Sequence, residues 1–211
     1  MQRPSKIVCV GRSYAAHAKE LGNAVPTVPV LFIKPPSSLV TLEDGIQWNT
    51  NLGSCHHECE LTLRIDKKLS KETDPTVALQ AIGAVTLGLD LTLRDLQAEL
   101  KGKGQPWERA KAFDGSCVLG EWINISEVNE WDNISYELLI NDEVRQQGNT
   151  SLLLFPIAEM LCDMSQAFTL EEGDVVMTGT PEGVAALKSG DQIKMVLQGK
   201  QQAFTWNTFV K

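Results

Sequence analysis

About nine or ten short runs of β-branched and apolar residues, set apart by glycine, proline and Asx turn signals, punctuate the 211-residue chain, against about four modest helical stretches. Strands and helices do not alternate regularly. The pattern therefore argues for an α+β domain built on a mixed, rolled or barrel-like sheet with a few short helices, spanning 1–211 as one unit. Residues 6–10 read as a buried strand ended by Gly11, and 12–22 as one or two helical turns stopped by Gly22. Residues 28–34 read as a strand that Pro26, Pro29, Pro35 and Pro36 confine to a sheet edge or to a short segment. Asp74-Pro75 is an N-cap followed by proline, opening a helix to about Ile82. An apolar run ends at Asp90, and Thr92 with Asp95 reads as a capping box for the helix after it. Residues 103–116 carry too many glycines and charges for a core. Asn141-Asp142 interrupts an alternating pattern as a hairpin turn. Pro156 opens a helix directing Ile157, Leu161, Met164 and Phe168 inward, and strands follow at 175–177, 191 onward and 203–210.

Residues 56–66 carry the first chemical signal. In a strand, Glu58 and Glu60 share one face, roughly 6 to 7 Å apart. Two carboxylates that close require a cation or a proton between them when buried. Hard oxygen ligands of this kind suit Mg²⁺, Mn²⁺ or Ca²⁺. A zinc cluster from Cys55, His56, His57 and Cys59 is disfavoured, because alternation turns His57 and Cys59 away from the carboxylates and no second Cys/His pair follows. Taken alone, an E-x-E pair is more often a solvated strand.

Net charge is −8, which gives no long-range attraction for nucleic acid or an anionic membrane. No apolar run reaches the length of a bilayer span, and the first residues do not resemble a cleavable signal. Five scattered cysteines fit reduced thiols in a cytoplasm. On the first helical turn His17 and Glu20 lie three apart on one face, where a carboxylate can fix the imidazole tautomer, although most such pairs are ordinary surface contacts.

Seven segments taken in order are more specific: Gly11-Arg12-Ser13-Tyr14-Ala15-Ala16-His17, Phe32-Ile33-Lys34-Pro35, His56-His57-Glu58-Cys59-Glu60-Leu61, the run 88–97 that includes Asp90 and Arg94, Gly104-Gln105-Pro106-Trp107, Lys111-Ala112-Phe113-Asp114 and Thr178-Gly179-Thr180-Pro181-Glu182-Gly183-Val184. Together they resemble the fumarylacetoacetate hydrolase family, in the short branch that includes acylpyruvate hydrolases and oxaloacetate decarboxylases or tautomerases. The resemblance implies that Glu58, Glu60 and Asp90 hold Mg²⁺ or Mn²⁺ (Ca²⁺ in crystals) and that Lys111 is an active-site lysine. It also implies that His17 and Glu20 form a dyad on a mobile lid within 1–25, and that Gln105, Arg94 and Thr180 line the substrate site. Arg12 and Lys34 fall in matching segments. Ser13 stands where the family most often has asparagine. A homodimer acting on a small 2-oxo acid is implied as well.

A 2-oxo acid presents a carboxylate and a carbonyl oxygen to one divalent ion, and this lowers the cost of forming an enolate. The leading expectation is hydrolysis of the C–C bond of acylpyruvates, with His17-Glu20 activating water and Lys111 and Gln105 stabilising the oxyanion. The alternative is tautomerisation or decarboxylation of oxaloacetate, or isomerisation of a dienoate, on the same site. A non-catalytic metal-stabilised binding protein is the third reading, and it would leave Lys111, His17 and Glu20 without a task.

Overall fold

The computed structural model describes residues 3–211; Met1 and Gln2, which begin the 1–25 segment expected to include a lid, lie outside the described residues. In chain order the first elements are β1 (Ile7–Gly11), α1 (Ala15–Glu20), β2 (Val30–Lys34), β3 (Leu39–Thr41), β4 (Cys55–His56) and β5 (Cys59–Ile65). Next come α2 (Pro75–Leu79), β6 (Ile82–Asp90), β7 (Thr92–Leu93), α3 (Arg94–Gly102), α4 (Glu108–Lys111), β8 (Cys117–Leu119) and β9 (Ile123–Asn124). The chain ends with β10 (Ser135–Ile140), β11 (Glu143–Asn149), α5 (Ile157–Ala167), β12 (Val175–Met177), β13 (Gln192–Gln198) and β14 (Ala203–Phe209). The architecture is α+β, with a mixed, curled half-barrel sheet and few helices, as the strand pattern implied.

The larger sheet runs β2-β1-β12-β5-β6-β8-β3, with β9 added to β6. β1 lies parallel to β12 and β3 parallel to β8, while the other pairings are antiparallel. β2 is an edge strand, in keeping with its flanking prolines. A second, antiparallel sheet runs β11-β10-β13-β14. Asn141 and Asp142 take φ of 53° and 63°, the left-handed pair that a two-residue hairpin needs. Leu61, Leu63, Leu87 and Leu89 of the first sheet pack in one core with Leu138, Met195, Leu197 and Trp206 of the second. α5 covers this core with Ile157, Met160, Leu161 and Met164.

Alternation along the two central strands sets up the site. Residues 59, 61, 63 and 65 of β5 and Val85, Leu87 and Leu89 of β6 belong to that core. By the period of two, Glu60, Thr86, Gly88 and Asp90 project from the opposite face. Cys59 pairs with Leu89 and Glu60 with Gly88, so Glu58 falls beside Asp90 at the open end of the pair, where Asp90 N–H donates to Glu58 O at 2.8 Å. A Cβ on Gly88 would meet Thr62 Oγ1 and Leu119 Cδ2, each at 2.8 Å. Glycine at 88 thus lets the strands close next to Glu60.

Three local expectations are corrected. The helix opened by Asp74, whose side chain does accept from Thr76 N–H, ends at Leu79; residues 82 and 83 belong to β6 because Ile82 pairs with Ile65. Thr92 does not cap α3. Its hydroxyl donates to Asp90 O and its backbone pairs with His56, while Asp95 accepts from the N–H and hydroxyl of Ser54. The 103–116 segment contains a helical turn, α4, and buries Ala110, Lys111 and Ser116. Lys111 can be buried because two carboxylates meet its ammonium.

Candidate active site

Glu58, Glu60 and Asp90 are all buried, and one carboxylate oxygen from each lies within 4.8 Å of the others. Among the described residues this is the cluster of acidic, cysteine or histidine side chains able to hold a metal. Lys111 Nζ donates to Glu58 Oε2 at 2.7 Å and to Asp90 Oδ2 at 2.6 Å. Lys34 Nζ lies 2.8 Å from Asp90 Oδ1, and Arg94 forms an ion pair with Glu58 Oε1. Glu60 has no such cation; its Oε2 accepts from Gly179 N–H at 2.7 Å. That N–H is available because Gly179 takes φ +95°, in a cradle where a Cβ would lie 2.9 Å from Val10 O and collide with Ser13 Oγ.

The charges separate two of these carboxylates by environment. Burial alone would push Glu58 up, but Lys111 and then Arg94 outweigh it and hold the carboxyl well below the usual range. Burial pushes Glu60 up, and the neighbouring Asp90 and Glu58 add to it beyond what Lys111 and the Gly179 N–H return. Lys111 is penalised by burial, yet Asp90 and Glu58 overcompensate and keep it a firm ammonium. The cluster therefore contains one carboxylate whose negative charge the protein itself does not neutralise.

A cavity of about 560 Å³ opens above the cluster. Glu58, Glu60, Lys111, Arg94, Thr180, His17 and Arg12 line it, as do Gln97 and Lys101, while Phe32 and Trp107 form an apolar wall with ring centroids 5.1 Å apart. His17 is buried; its Nδ1 lies 3.4 Å from Glu20 Oε2, and Glu20 Oε1 accepts from Gly183 N–H at 3.0 Å. Glu20 thereby joins α1 to the 179–183 loop. Burial lowers the His17 pKa, against the opposing pull of Glu58 and Glu20, so the ring is neutral at pH 7. With Nδ1–H given to Glu20, Nε2 is left to accept a proton. Ser13 is wholly buried: its hydroxyl donates to Thr178 O at 2.7 Å and its own carbonyl accepts from Leu154 N–H. Ser13 thus anchors the start of α1.

Thr180 is held from behind. Its hydroxyl donates to Cys59 O and accepts from Gln146 Nε2, and Gln146 Oε1 accepts from Cys59 N–H and binds His57 Nδ1 at 3.0 Å. His57, in the gap between β4 and β5 rather than in a strand, is thus turned to Gln146.

Two residues expected at the substrate site stand elsewhere. Gln105 is exposed at the end of α3, its N–H bonded to Leu100 O after Gly104 turns the chain at φ +62°. This helix-ending turn carries it away from the cavity. Lys34 is wholly buried, donates to Lys111 O and Ser116 Oγ, and forms an ion pair with Asp90, which it supports rather than lining the cavity. Gln97 and Lys101 were missed. Their spacing of three and seven residues from Arg94 on one helix was the available signal.

The family model for the C-terminal region of fumarylacetoacetate hydrolase matches residues 6–205. The oxaloacetate tautomerase of Escherichia coli strain K12 is 46% identical over 196 residues, covering 92% of this chain and 89% of the relative. A crystal structure of a candidate fumarylacetoacetate isomerase/hydrolase from Oleispira antarctica superposes with a TM-score of 0.94 at 45% identity, covering 100% of this chain and 95% of that one. The fumarylpyruvate hydrolase of Pseudomonas aeruginosa, in complex with Mn²⁺ and pyruvate, superposes with a TM-score of 0.85 at 32% identity, covering 98% and 90%.

Proposed function

The chain belongs to the fumarylacetoacetate hydrolase family, and from that premise we propose that it is a divalent-metal-dependent tautomerase interconverting the enol and keto forms of oxaloacetate. The observation that carries this reading is the buried Glu58–Glu60–Asp90 cluster on the floor of a cavity that also presents His17, Arg94 and Lys111. Three carboxylates with oxygens this close, one of them uncompensated, fit a hard divalent cation such as Mg²⁺ or Mn²⁺. Glu58, Glu60 and Asp90 would hold it, and such an ion, when bound, lowers the cost of enolate charge beside a 2-oxo group.

The remaining residues divide the proton work. Lys111 is held charged by Glu58 and Asp90, so it can hydrogen-bond a developing enolate oxygen. His17 is neutral, its Nδ1 engaged by Glu20, so Nε2 would take the enol O–H proton and deliver it to carbon, and run the transfer in reverse from the keto form. Tautomerisation needs no attacking water. The relatives favour this reading over acylpyruvate hydrolysis: the tautomerase shares 46% identity, the fumarylpyruvate hydrolase 32%. Hydrolysis remains the second reading because a neutral His17 backed by Glu20 could equally activate water. We also take the protein to be a cytoplasmic homodimer, with its mass in solution by light scattering as the check.

A steady-state panel tests the reaction. Enol-to-keto conversion of oxaloacetate is expected to exceed cleavage of acetylpyruvate and fumarylpyruvate in kcat/KM, and to disappear in excess chelator. Faster acylpyruvate cleavage would replace the tautomerase reading, and no turnover of any of them with Mg²⁺ or Mn²⁺ would remove the enzyme reading. His17→Ala is expected to bind Mg²⁺ normally while kcat falls about 10²- to 10⁴-fold. Since burial lowers the His17 pKa, the acid limb of the wild-type kcat/KM profile should lie below pH 6.5 and vanish in the variant. An unaltered limb would take His17 out of the mechanism.

A further inference from the structure

Two of the cations on the cavity wall have no acidic partner. Lys111 and Arg94 are paired with Glu58 or Asp90, whereas neither Arg12 nor Lys101 forms an ion pair with any carboxylate among the described residues. Arg12 reaches the cavity from the turn between β1 and α1, at φ +58°, a conformation that a non-glycine residue holds only when its surroundings impose it. Lys101 comes from the last turn of α3. It lies seven residues after Arg94 and four after Gln97, so all three share the helix face turned to the cavity. Its ammonium stands 5.2 Å over the ring of Trp107, which fixes the side chain against the apolar wall.

We propose that Lys101, together with Arg12, receives the second carboxylate of a dianionic 2-oxo acid and selects it over monoanionic 2-oxo acids of the same length. This inference rests on the 2-oxo acid reading of the same site. Glu58 and Glu60 take the oxo-acid end of the ligand through the ion; Arg12 and Lys101 line the same cavity without an acidic partner, and the second carboxylate is assigned to them. A methyl group in that position would leave both cations unpaired, whereas a carboxylate satisfies both.

The electrostatics agree with the geometry. Lys101 as a residue is exposed, but partial burial of its ammonium, and then the charges of Arg12, Lys111 and Arg94, push its pKa down to about 8 despite Glu58. Charge is thus held there at a cost that a bound anion would relieve. Among the described residues the Lys101 ammonium makes no hydrogen bond or ion pair that would give it a structural duty, and Trp107 contacts it through its ring alone.

The test compares wild type with Lys101→Met and Lys101→Arg in saturating Mg²⁺. For Lys101→Met, KM for oxaloacetate should rise about tenfold or more, the change in kcat should be small beside it, and the inhibition constant of 2-oxobutyrate, which has methyl in place of the far carboxylate, should stay within twofold. Lys101→Arg should restore most of the KM. A KM that does not move, or a KM and an inhibition constant that rise together, would overturn the proposal. Calorimetric binding of 2-oxoglutarate and 2-oxovalerate, another pair differing by carboxylate against methyl, makes the test independent of turnover. Wild type should prefer the dianion by about tenfold or more, and Lys101→Met should lose that preference. If wild type fails to tautomerise oxaloacetate yet shows this preference, the reaction is wrong and the anion site stands. Equal binding of the two ligands by wild type, or binding of neither, overturns the anion site.

Discussion

Lys111→Met is expected to lower the unfolding midpoint of the metal-free protein by roughly 10 °C at pH 7.5, and saturating Mg²⁺ to recover most of the loss. The ammonium of Lys111 is buried and donates to both Glu58 and Asp90, at 2.7 and 2.6 Å. Methionine keeps the unbranched stem but leaves the triad with Lys34 and Arg94 alone. Removing one partner from a buried charge cluster costs about 3–5 kcal/mol, and in a chain of this size each kcal/mol moves the midpoint by about 2–4 °C. A divalent ion held by the same carboxylates supplies the missing positive charge, so the Mg²⁺-dependent rise in midpoint should be larger in the variant than in wild type. Differential scanning calorimetry with chelator and with Mg²⁺ reads both numbers. A midpoint equal to wild type in chelator would show that the two ion pairs do not stabilise the metal-free fold.

Glu60→Gln has the opposite sign. It is expected to abolish metal binding and reduce turnover by at least about 10²-fold, yet to raise the midpoint of the metal-free protein at pH 8. Burial, Asp90 and Glu58 raise the Glu60 pKa in the folded state. A carboxyl with a raised folded pKa favours the folded state below its unfolded pKa near 4.5 and loses that advantage as pH climbs through the folded value. Wild type therefore bears the cost at pH 8 and little of it near pH 4.5. Glutamine is neutral throughout, can still accept the Gly179 N–H, and can donate its amide to the adjacent carboxylates. The gap between variant and wild type in chelator should thus shrink as pH falls, and reverse in saturating Mg²⁺, where only wild type gains from the ion. A lower midpoint for the variant at pH 8 in chelator would refute this picture of Glu60. Both experiments express one trade: the carboxylates that bind the ion are a liability without it.

Much of this site could be read in the sequence because β-strand parity is a local rule. Along β5 Glu60 had to point opposite Cys59 and Leu61, and the prolines around 28–36 fit the edge place of β2. His57 and Glu58 lie in the gap between β4 and β5, which breaks the strand expected over 56–66, yet Glu58 still joins the cluster and His57 binds Gln146. Asp90 could be placed at a strand end from its apolar run, but only the family resemblance joined it to the glutamates. The misreadings fall where tertiary partners outbid local preference. Thr92 had the look of a cap, but its backbone pairs with His56 of β4. The polar 103–116 segment looked unfit for a core, and Lys111 is buried there because Glu58 and Asp90 reach it from β5 and β6. Gln105 lies near Lys111 in sequence, but a glycine turn at the end of α3 points it into solvent.

The sequence by itself determined the class of the fold, the hairpin at 141–142, the carboxylate pair and the His17–Glu20 spacing, since each depends on residues a few positions apart whose geometry the backbone dictates. Only the tertiary structure decided the rest. The parallel pairing of β1 with β12 matches Ile7 to Val175 and brings Ser13 against Gly179, whose N–H meets Glu60. The pairing of β5 with β6 sets Asp90 beside Glu58. The turn after β1 and the last turn of α3 both bring unpaired cations, Arg12 and Lys101, to one cavity. These contacts join segments far apart in the chain, where loop closure leaves no local signature and only burial and charge pairing choose the partner.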